Sequence, residues 1–568
     1  MTRALAAGST GRARGLSRRE CLLAFGGLAA ACAPAVAGPP ASMAQAPSVP
    51  PSAAHTTFLD VREFGAVADG KTKCTEAVKR AIEQASQTGG GTILFSGGDY
   101  LTGRILLKSN IALCIDAGSR LKFSSDFDDY LPRVRMRWEG TEIKNFSPLI
   151  YAEKAENIAI FGRGVLDGQG EAWWQYIREL KQDFKKTGKW RVDSKWQRDF
   201  LAENQQLETE LPDDASTLHM GFLRPPFIQP VDCKNVSIRD VTIVNSPFWN
   251  INPVYCDDVT VVGVTIQNPD DAPNTDGIDP DSCKNVHISD CHISVGDDCI
   301  CIKSGRDKQG RRINRPAENH TITNCTMLRG HGGVVIGSEM SGGAKKITIS
   351  NCVFDGTDRG IRIKSTRGRG GVIEDVRVDN IVMKNIREEA ITLNMFYTDA
   401  PPEPFSARTP VFRNIHISAI SGQGKQAGLL LGLTESPLED VTLRDIDLQT
   451  EIGMVIRDAR RVALSDVRVD AGSGPALLAE RCETLTLSDV GTNAPHPAVP
   501  ALKLSNVQDT FVHDCRAATK TDIFLEIDGK DTRAVHVADS ELSNAKVALA
   551  IGKDVPAHAV TQHLEGGR

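Results

Sequence analysis

Asn235-Val236-Ser237-Ile238, Asp258-Val259-Thr260-Val261 and Asn285-Val286-His287-Ile288 are three copies of one phrase. Each puts an Asn or Asp before an apolar–polar–apolar alternation, the period of a strand with one buried face. The phrase continues as Lys346-Ile347-Thr348-Ile349, Asp375-Val376-Arg377-Val378 and Asn414-Ile415-His416-Ile417, with later copies starting near Val441, Val462, Leu485 and Val535. Anchors Val236, Val259 and Val286 are separated by 23 and 27 residues, and Val441, Val462 and Leu485 by 21 and 23. A repeat in the twenties marks one coil of a solenoid. Units this small cannot bury a core alone, so neighbours must stack. The pattern predicts an all-β, right-handed parallel β-helix. It also predicts a single domain, although 568 residues at roughly 150 per domain would suggest three or four.

The cysteines obey the same period. Cys233, Cys256 and Cys283 each precede their anchor by three residues, while Cys291 and Cys352 each follow theirs by five. Cys325 has the same offset from His320. Equal offsets on stacked coils put side chains above one another, about 4.8 Å apart, which favours columns of buried free thiols over the disulfides that fourteen cysteines in an exported chain would otherwise suggest. Cys299-Ile300-Cys301 is not a zinc spacing; no metal and no cofactor is expected.

Two stretches depart from the coils. Thr75 to Ile82 has helical spacing and Gly89-Gly90-Gly91 follows as a stop, predicting an amphipathic helix that caps the first coil. From Trp173 to Phe200 the chain is rich in Lys, Arg and Trp, with helix-like pieces. This insertion either overhangs a cleft or is solvated surface.

The formal net charge of −6 comes from 66 basic and 72 acidic residues with no basic runs, which argues against a nucleic-acid partner. Past the N-terminus no apolar stretch is long enough to span a membrane. Residues 1–46 read as an export signal: Arg12, Arg14, Arg18 and Arg19 precede the short apolar run Leu22–Ala31, and Ser17-Arg18-Arg19-Glu20-Cys21-Leu22-Leu23 is of the twin-arginine type. An ordinary secretory leader holding Arg-Arg is the alternative. The expected product is periplasmic or secreted, delivered by the export machinery. Residues 47–57 form a Pro/Ser/Ala linker, 58–553 the β-helix, and 554–568 a frayed tail.

Carboxylates gather where the repeat is most regular. Asn274-Thr275-Asp276-Gly277 is followed by Gly296-Asp297-Asp298-Cys299, Gly330-His331-Gly332 and Arg362-Ile363-Lys364. Asp297 and His331 each lie 11 residues beyond their anchors Val286 and His320; Asp276 and Lys364 each lie 17 beyond Val259 and Ile347. Matching offsets predict one outward-facing acidic centre with cations beside it. Glycoside hydrolysis needs such a centre: one carboxylic acid protonates the leaving oxygen while another carboxylate activates water or attacks carbon. Arg362 and Lys364, two apart on a strand, share a face and suit a sugar carboxylate. Asp297 and Asp298 can both serve only if the backbone bends, which Gly296 allows. The competing reading makes these aspartates solenoid-turn residues binding backbone amides. Asp279 and Asp281 read as turn residues, Glu339 as either turn scaffold or substrate contact, and Arg359, Arg367 and Arg369 as solvated surface, with cleft lining the alternative.

The four motifs, in this order on a β-helix pattern, resemble the signature of glycoside hydrolase family 28, the polygalacturonases. The likeness runs from about Phe58 to Tyr397 and includes Asp60-Val61-Arg62-Glu63-Phe64-Gly65-Ala66. It implies inverting, single-displacement hydrolysis of α-1,4-galacturonosyl linkages in pectin, with a pectic polysaccharide or oligogalacturonide as substrate. By this resemblance Asp297 is the general acid, Asp276 and Asp298 hold and activate the water, and His331 tunes the acid. Arg362 and Lys364 then bind the galacturonate carboxylate, and Asn274 and Tyr397 contact substrate. Arg137-Trp138-Glu139-Gly140, Asp279-Pro280-Asp281-Ser282-Cys283 and the stretch from Ser338 to Gly343 resemble the bacterial exo-acting branch. Exo action needs one end of the groove blocked, and the insertion is the candidate wall. A rhamnogalacturonan or xylogalacturonan hydrolase of the same fold is the nearest alternative. A Ca²⁺-dependent pectate lyase and a non-catalytic polysaccharide-binding β-helix are the rivals from other classes.

Overall fold

In the computed structural model, which describes residues 57–205, 207 and 215–563, the repeated phrase becomes a column of parallel strands. Val236 pairs with Val259, Val259 with Val286, Val286 with His320, and the same register runs on through Ile347, Val376, Ile415 and Val441. A second column carries Ile243, Ile266, Ile293 and Met327 inward. A third runs through Ile278, Ile300, Val334, Ile361 and Ile391. The architecture is a right-handed parallel β-helix, and its core is the stack of inward apolar side chains.

The residue before each anchor turns the corner. Asn235, Asp258, Asn285, Asn319, Lys346, Asp375 and Asn414 all have positive φ, from 52° to 61°. Asn and Asp tolerate this left-handed geometry better than other side chains with a Cβ. Their amides also bond from coil to coil: Asn235 Nδ2 donates to Asn157 Oδ1 at 2.8 Å, Asn285 to Asp258 at 2.9 Å, and Asn319 to Asn285 at 3.0 Å.

His320 and Thr510 occupy anchor positions that apolar residues fill elsewhere. His320 is buried, its Nε2 lies 3.0 Å from the Cys283 carbonyl, and burial pulls its pKa down to about 4. The expected thiol columns are present: all twelve described cysteines are free, eleven of them buried. Cys233, Cys256 and Cys283 interact along one corner, as do Cys291, Cys325 and Cys352 along another.

The capping helix, α1 (Thr75–Gln87), packs Ala77, Val78, Ala81, Ile82 and Ala85 over the first strands. It ends before Gly90, whose φ of 137° and lack of Cβ allow the Asn110 carbonyl to approach; a Cβ would sit 2.5 Å from that oxygen. The insertion contains α2 (Glu171–Thr187) and α3 (Lys195–Glu203). It is not loose surface. Trp173, fully buried, has its ring centroid 4.3 Å from that of Phe127 and within 6 Å of Phe146, Tyr130 and Phe222. A short helix, α4 (Asp307–Ile313), decorates a later coil. The tail expected beyond Lys553 contains one more strand, Val560–His563, paired with Val535–Ala538, because the repeat continues past its last apolar-rich phrase. The expected leader, residues 1–46, lies outside the described residues. No helix among the described residues is long and apolar enough to cross a membrane.

Adjacent residues on one strand should therefore differ sharply. Ile288 points into the core and His287 outward. Ile288→Ala is expected to destabilise by about 2–5 kcal/mol; His287→Ala should stay within about 0.5 kcal/mol. Denaturant midpoints of the two variants measure the contrast.

Candidate active site

Strands Ile300–Ile302, Val334–Ile336 and Ile361–Lys364 send their isoleucines and Val334 inward, so the intervening residues face out. Pairing sets Cys301 beside Val335 and Val335 beside Arg362. Asp281 pairs with Lys303, and Lys364 continues that row one residue beyond the Ile336–Ile363 pair. Asp276 and Asp298 lie just ahead of the column, at equivalent places on adjacent coils: Asn250 and Gly277 donate to their carbonyls. The predicted register of Asp276 with Lys364 is thus incorrect. Loops between anchors differ in length, so Lys364 aligns with Lys303 and reaches the acidic centre by its side-chain length.

All eight predicted site residues converge. Asp298, 1% exposed, accepts from Lys364 Nζ at 2.7 Å and from Arg362 Nη1 at 3.2 Å. Burial alone would raise its pKa, but Lys364, Arg362 and Lys303 outweigh burial and hold it below the usual carboxylate range. Asp276, also buried, has a carboxylate oxygen within 4.8 Å of one on Asp298. Burial, reinforced by Asp297, pushes its pKa well above the usual range. One partner is held ionised and the other favours its proton.

Asp297 turns to a different neighbour, its Oδ1 lying 3.0 Å from His331 Nδ1. That bond raises the imidazole pKa to about 9. Gly296–Cys299 is not strand, so the alternation rule does not separate Asp297 from Asp298. Gly332 keeps the wall thin: a Cβ there would lie 2.4 Å from Val335 and 3.2 Å from Asp298 Oδ1. The Tyr397 ring, 44% exposed, sits 5.2 Å from Lys364 Nζ and 5.9 Å from the Arg362 guanidinium. Asn274 Oδ1 accepts from Arg224 Nη2 at 2.8 Å.

Several members of this network are not evident from the motifs. Lys303, buried, places Nζ 3.1 Å from Glu339, 3.6 Å from Asp276 and 3.9 Å from Asp279, and 4.3 Å from the Trp249 ring centroid. Burial works against the charge on Lys303, but Cys301 and the carboxylates of Glu339, Asp276 and Asp279 prevail and raise its pKa. Asp279 is therefore not a turn residue; it is a buried group of the site, its pKa raised by burial and by Asp276. Asp281 is also buried, bonded to Arg137 at 2.9 Å. Glu339 Oε2 accepts from Lys303 Nζ at 3.1 Å, and its carbonyl accepts from the Ser304 N–H.

The three stretches singled out beyond the four motifs thus interlock. Arg137 pairs with Asp281, and the Ser338–Gly343 segment brings Glu339 to Lys303. Arg359, Arg367 and Arg369 are not free surface cations: they pair with Glu389, Glu435 and Asp307. The signal for Arg137 and Glu339 was the local wording of the sequence; nothing there pointed to Lys303 or Arg224.

Among the described residues, Asp276, Asp298 and Cys301 form the one group whose donor atoms are spaced to hold a metal ion. The chemistry is unfavourable for one. Lys303 and Lys364 already supply the countercharge, and burial raises the Cys301 thiol pKa well above normal, away from the thiolate a metal requires.

The family model described as "Glycosyl hydrolases family 28" matches residues 214–467, which include every predicted site residue. A second, "Rhamnogalacturonase A/epimerase, pectate lyase-like", matches residues 58–134, ahead of them all. An exopolygalacturonase structure from Thermotoga maritima is 36% identical, with a TM-score of 0.62 over 73% of this chain and 92% of that one. The Erwinia carotovora polygalacturonase structure is 25% identical, with a TM-score of 0.55 over 70% and 95% of the two chains. A probable polygalacturonase of Vitis vinifera is 28% identical over 70% of this chain and 74% of its own length. Substantial identity across nearly the whole of the bacterial relative places the chain in glycosyl hydrolases family 28.

Proposed function

We propose that the protein hydrolyses α-1,4-galacturonosyl linkages of pectin by inverting single displacement, releasing sugar from a chain end. The observation that carries this reading is the difference in surroundings among three aspartates. Asp276 and Asp298 face each other within 4.8 Å, while Asp297 is bonded separately to His331.

Inversion needs a water on one side of the sugar and a proton donor on the other. Asp298, held ionised by Lys364 and Arg362, accepts the water's proton; Asp276, favouring its proton, holds the same water by a hydrogen bond. Asp297 delivers to the leaving oxygen the proton it takes up across its bond from His331 Nδ1, which leaves the imidazole neutral. With an imidazole pKa of about 9, the Asp297–His331 pair retains at neutrality a proton that an unperturbed histidine would mostly have released. Arg362, Lys364 and the Tyr397 ring offer a cationic and aromatic face for a galacturonate. The exo reading is supported by α2, whose Arg178 bonds Asp271 just ahead of Asn274 at 2.8 Å.

Residues 1–46 are proposed as a twin-arginine-type export signal, 47–57 as a linker, and the following coils as the catalytic domain, acting in the periplasm or outside the cell. Replacing Arg18-Arg19 by Lys-Lys should retain the protein in the cytoplasm, followed by fractionation and immunoblotting.

Mass spectrometry of polygalacturonate digests in EDTA, with ultraviolet absorbance followed, tests the reaction. Saturated mono- or digalacturonate without a ladder is expected. Unsaturated, Ca²⁺-dependent product would establish a lyase and overturn the aspartate roles. Asp297→Asn, Asp276→Asn and Asp298→Asn should each lower kcat by roughly 10²- to 10⁴-fold without unfolding the chain.

Two pH measurements probe the electrostatics. Lys364→Met removes the nearest cation from Asp298, so its pKa rises and the acidic limb of the kcat/KM profile moves to higher pH. The raised His331 pKa means the stability from its pairing with Asp297 is full below the ordinary histidine range and lost as pH climbs through about 9. In ¹³C-histidine NMR, Asp297→Asn should return the His331 titration toward about 6.5.

A further inference from the structure

Beside Asn274 lies a small cavity of about 80 Å³, lined by Trp138, Glu139, Lys181, Phe222, Arg224 and Asn274. Its volume is about that of two to three waters, enough for the polar end of one sugar and too little for a polymer to pass through.

The cavity wall carries two cations, Lys181 and Arg224, and one carboxylate, Glu139. Arg224, 3% exposed, donates to the carbonyls of Pro247 and Pro273 and to Asn274 Oδ1. A guanidinium has five N–H donors, so those three bonds leave two without a partner among the described residues. Lys181 stands on α2 one turn beyond Ile177, which also lines the cavity. Its ammonium makes no hydrogen bond or ion pair among the described residues, though it lies within electrostatic range of Glu139 and Asp297. The acid in the cavity wall is already matched: Glu139 Oε2 lies 3.1 Å from Arg306 Nη1.

Helix α2 is fixed where this requires. Trp173, Trp174 and Leu180 are buried, the Trp174 indole donates to the Ser246 carbonyl at 3.0 Å, and Arg178 ties the outer face to Asp271. The wall and the Asn274–Asp276 segment are thereby joined.

We infer that this cavity is the blind end of the groove and binds the terminal uronate of the polymer, with Lys181 and Arg224 taking its carboxylate. The inference rests on the exo reading and deepens it: the insertion acts as a charged socket as well as a steric wall. Lys181 is a specificity-determining residue for a chain end that bears a carboxylate.

The test pairs Lys181→Gln with oligogalacturonides of one length, either fully acidic or methyl-esterified only on a terminal sugar, each end in turn. Lys181 is exposed, so the variant should fold, with an unchanged thermal midpoint. On the acidic oligomer KM should rise roughly tenfold or more, the scale of a lost charged hydrogen bond, with the loss falling on KM rather than on kcat. Lys181→Arg should recover most of it. Esterifying the bound end should raise the wild-type KM and erase the difference between wild type and Lys181→Gln; esterifying the other end should preserve that difference. An equal difference on all three oligomers, or none, overturns the socket while leaving exo action standing. A ladder of internal fragments from the wild type overturns exo action itself.

Discussion

Every feature of the site depends on successive coils pairing in parallel and in register. A coil has no partner for its own strand N–H and C=O groups, so those groups must bond to the coils on either side. Because the side-chain period is two, slipping one coil by a residue would turn its core outward. The coil-to-coil amide bonds of Asn157, Asn235, Asp258, Asn285 and Asn319 act against such slippage. They also occupy the left-handed corner that each turn needs. Register is therefore specified twice, by burial inside and by polar ladders at the corner.

On this frame the site is a compromise between burial and charge. Asp276, Asp279, Asp281 and Asp298 are all nearly inaccessible to solvent, a placement that would be prohibitive for isolated carboxylates. Cations meet them: Lys303 between Asp276 and Asp279, Arg137 on Asp281, Lys364 and Arg362 on Asp298. Breaking one member of such a set is more damaging than never having had it, because the partner remains buried and unpaired. The proposed mechanism uses the same imbalance: burial raises the pKa of Asp276, while Lys364 and Arg362 lower that of Asp298 against its burial.

The fold was legible because alternation and repeat length report on the backbone alone. Val236, Val259, Val286 and Ile347 meet as their spacing implied, and even His320 holds its place in the ladder. The contact of Asp297 with His331 was equally readable, since no loop of variable length separates either from its anchor. The alignment of Asp276 with Lys364 failed for the converse reason: outward loops add residues without moving the strands. Asp279 looks like a turn aspartate because sequence carries no sign of the Lys303 ammonium one coil away. Arg224 is harder still. It enters from the chain after the helical insertion, and three-dimensional closure alone brings it to Asn274.

The outward rows of the third strand column have a consequence for how such a protein changes its ligand. Neighbouring coils are about 4.8 Å apart, and like-facing residues along one strand about 6.6 Å apart. Side chains can thus be offered to a polymer only at nodes of a nearly rectangular lattice. Moving a functional group by one node is a jump of several ångströms, far coarser than catalysis tolerates. Finer adjustment falls to side-chain reach, as when Lys364 spans to Asp298 from a different row, and to segments such as α2 that lie off the lattice altogether. In this architecture the coils fix a coarse grid, and the excursions from it are where new specificities can be tuned continuously.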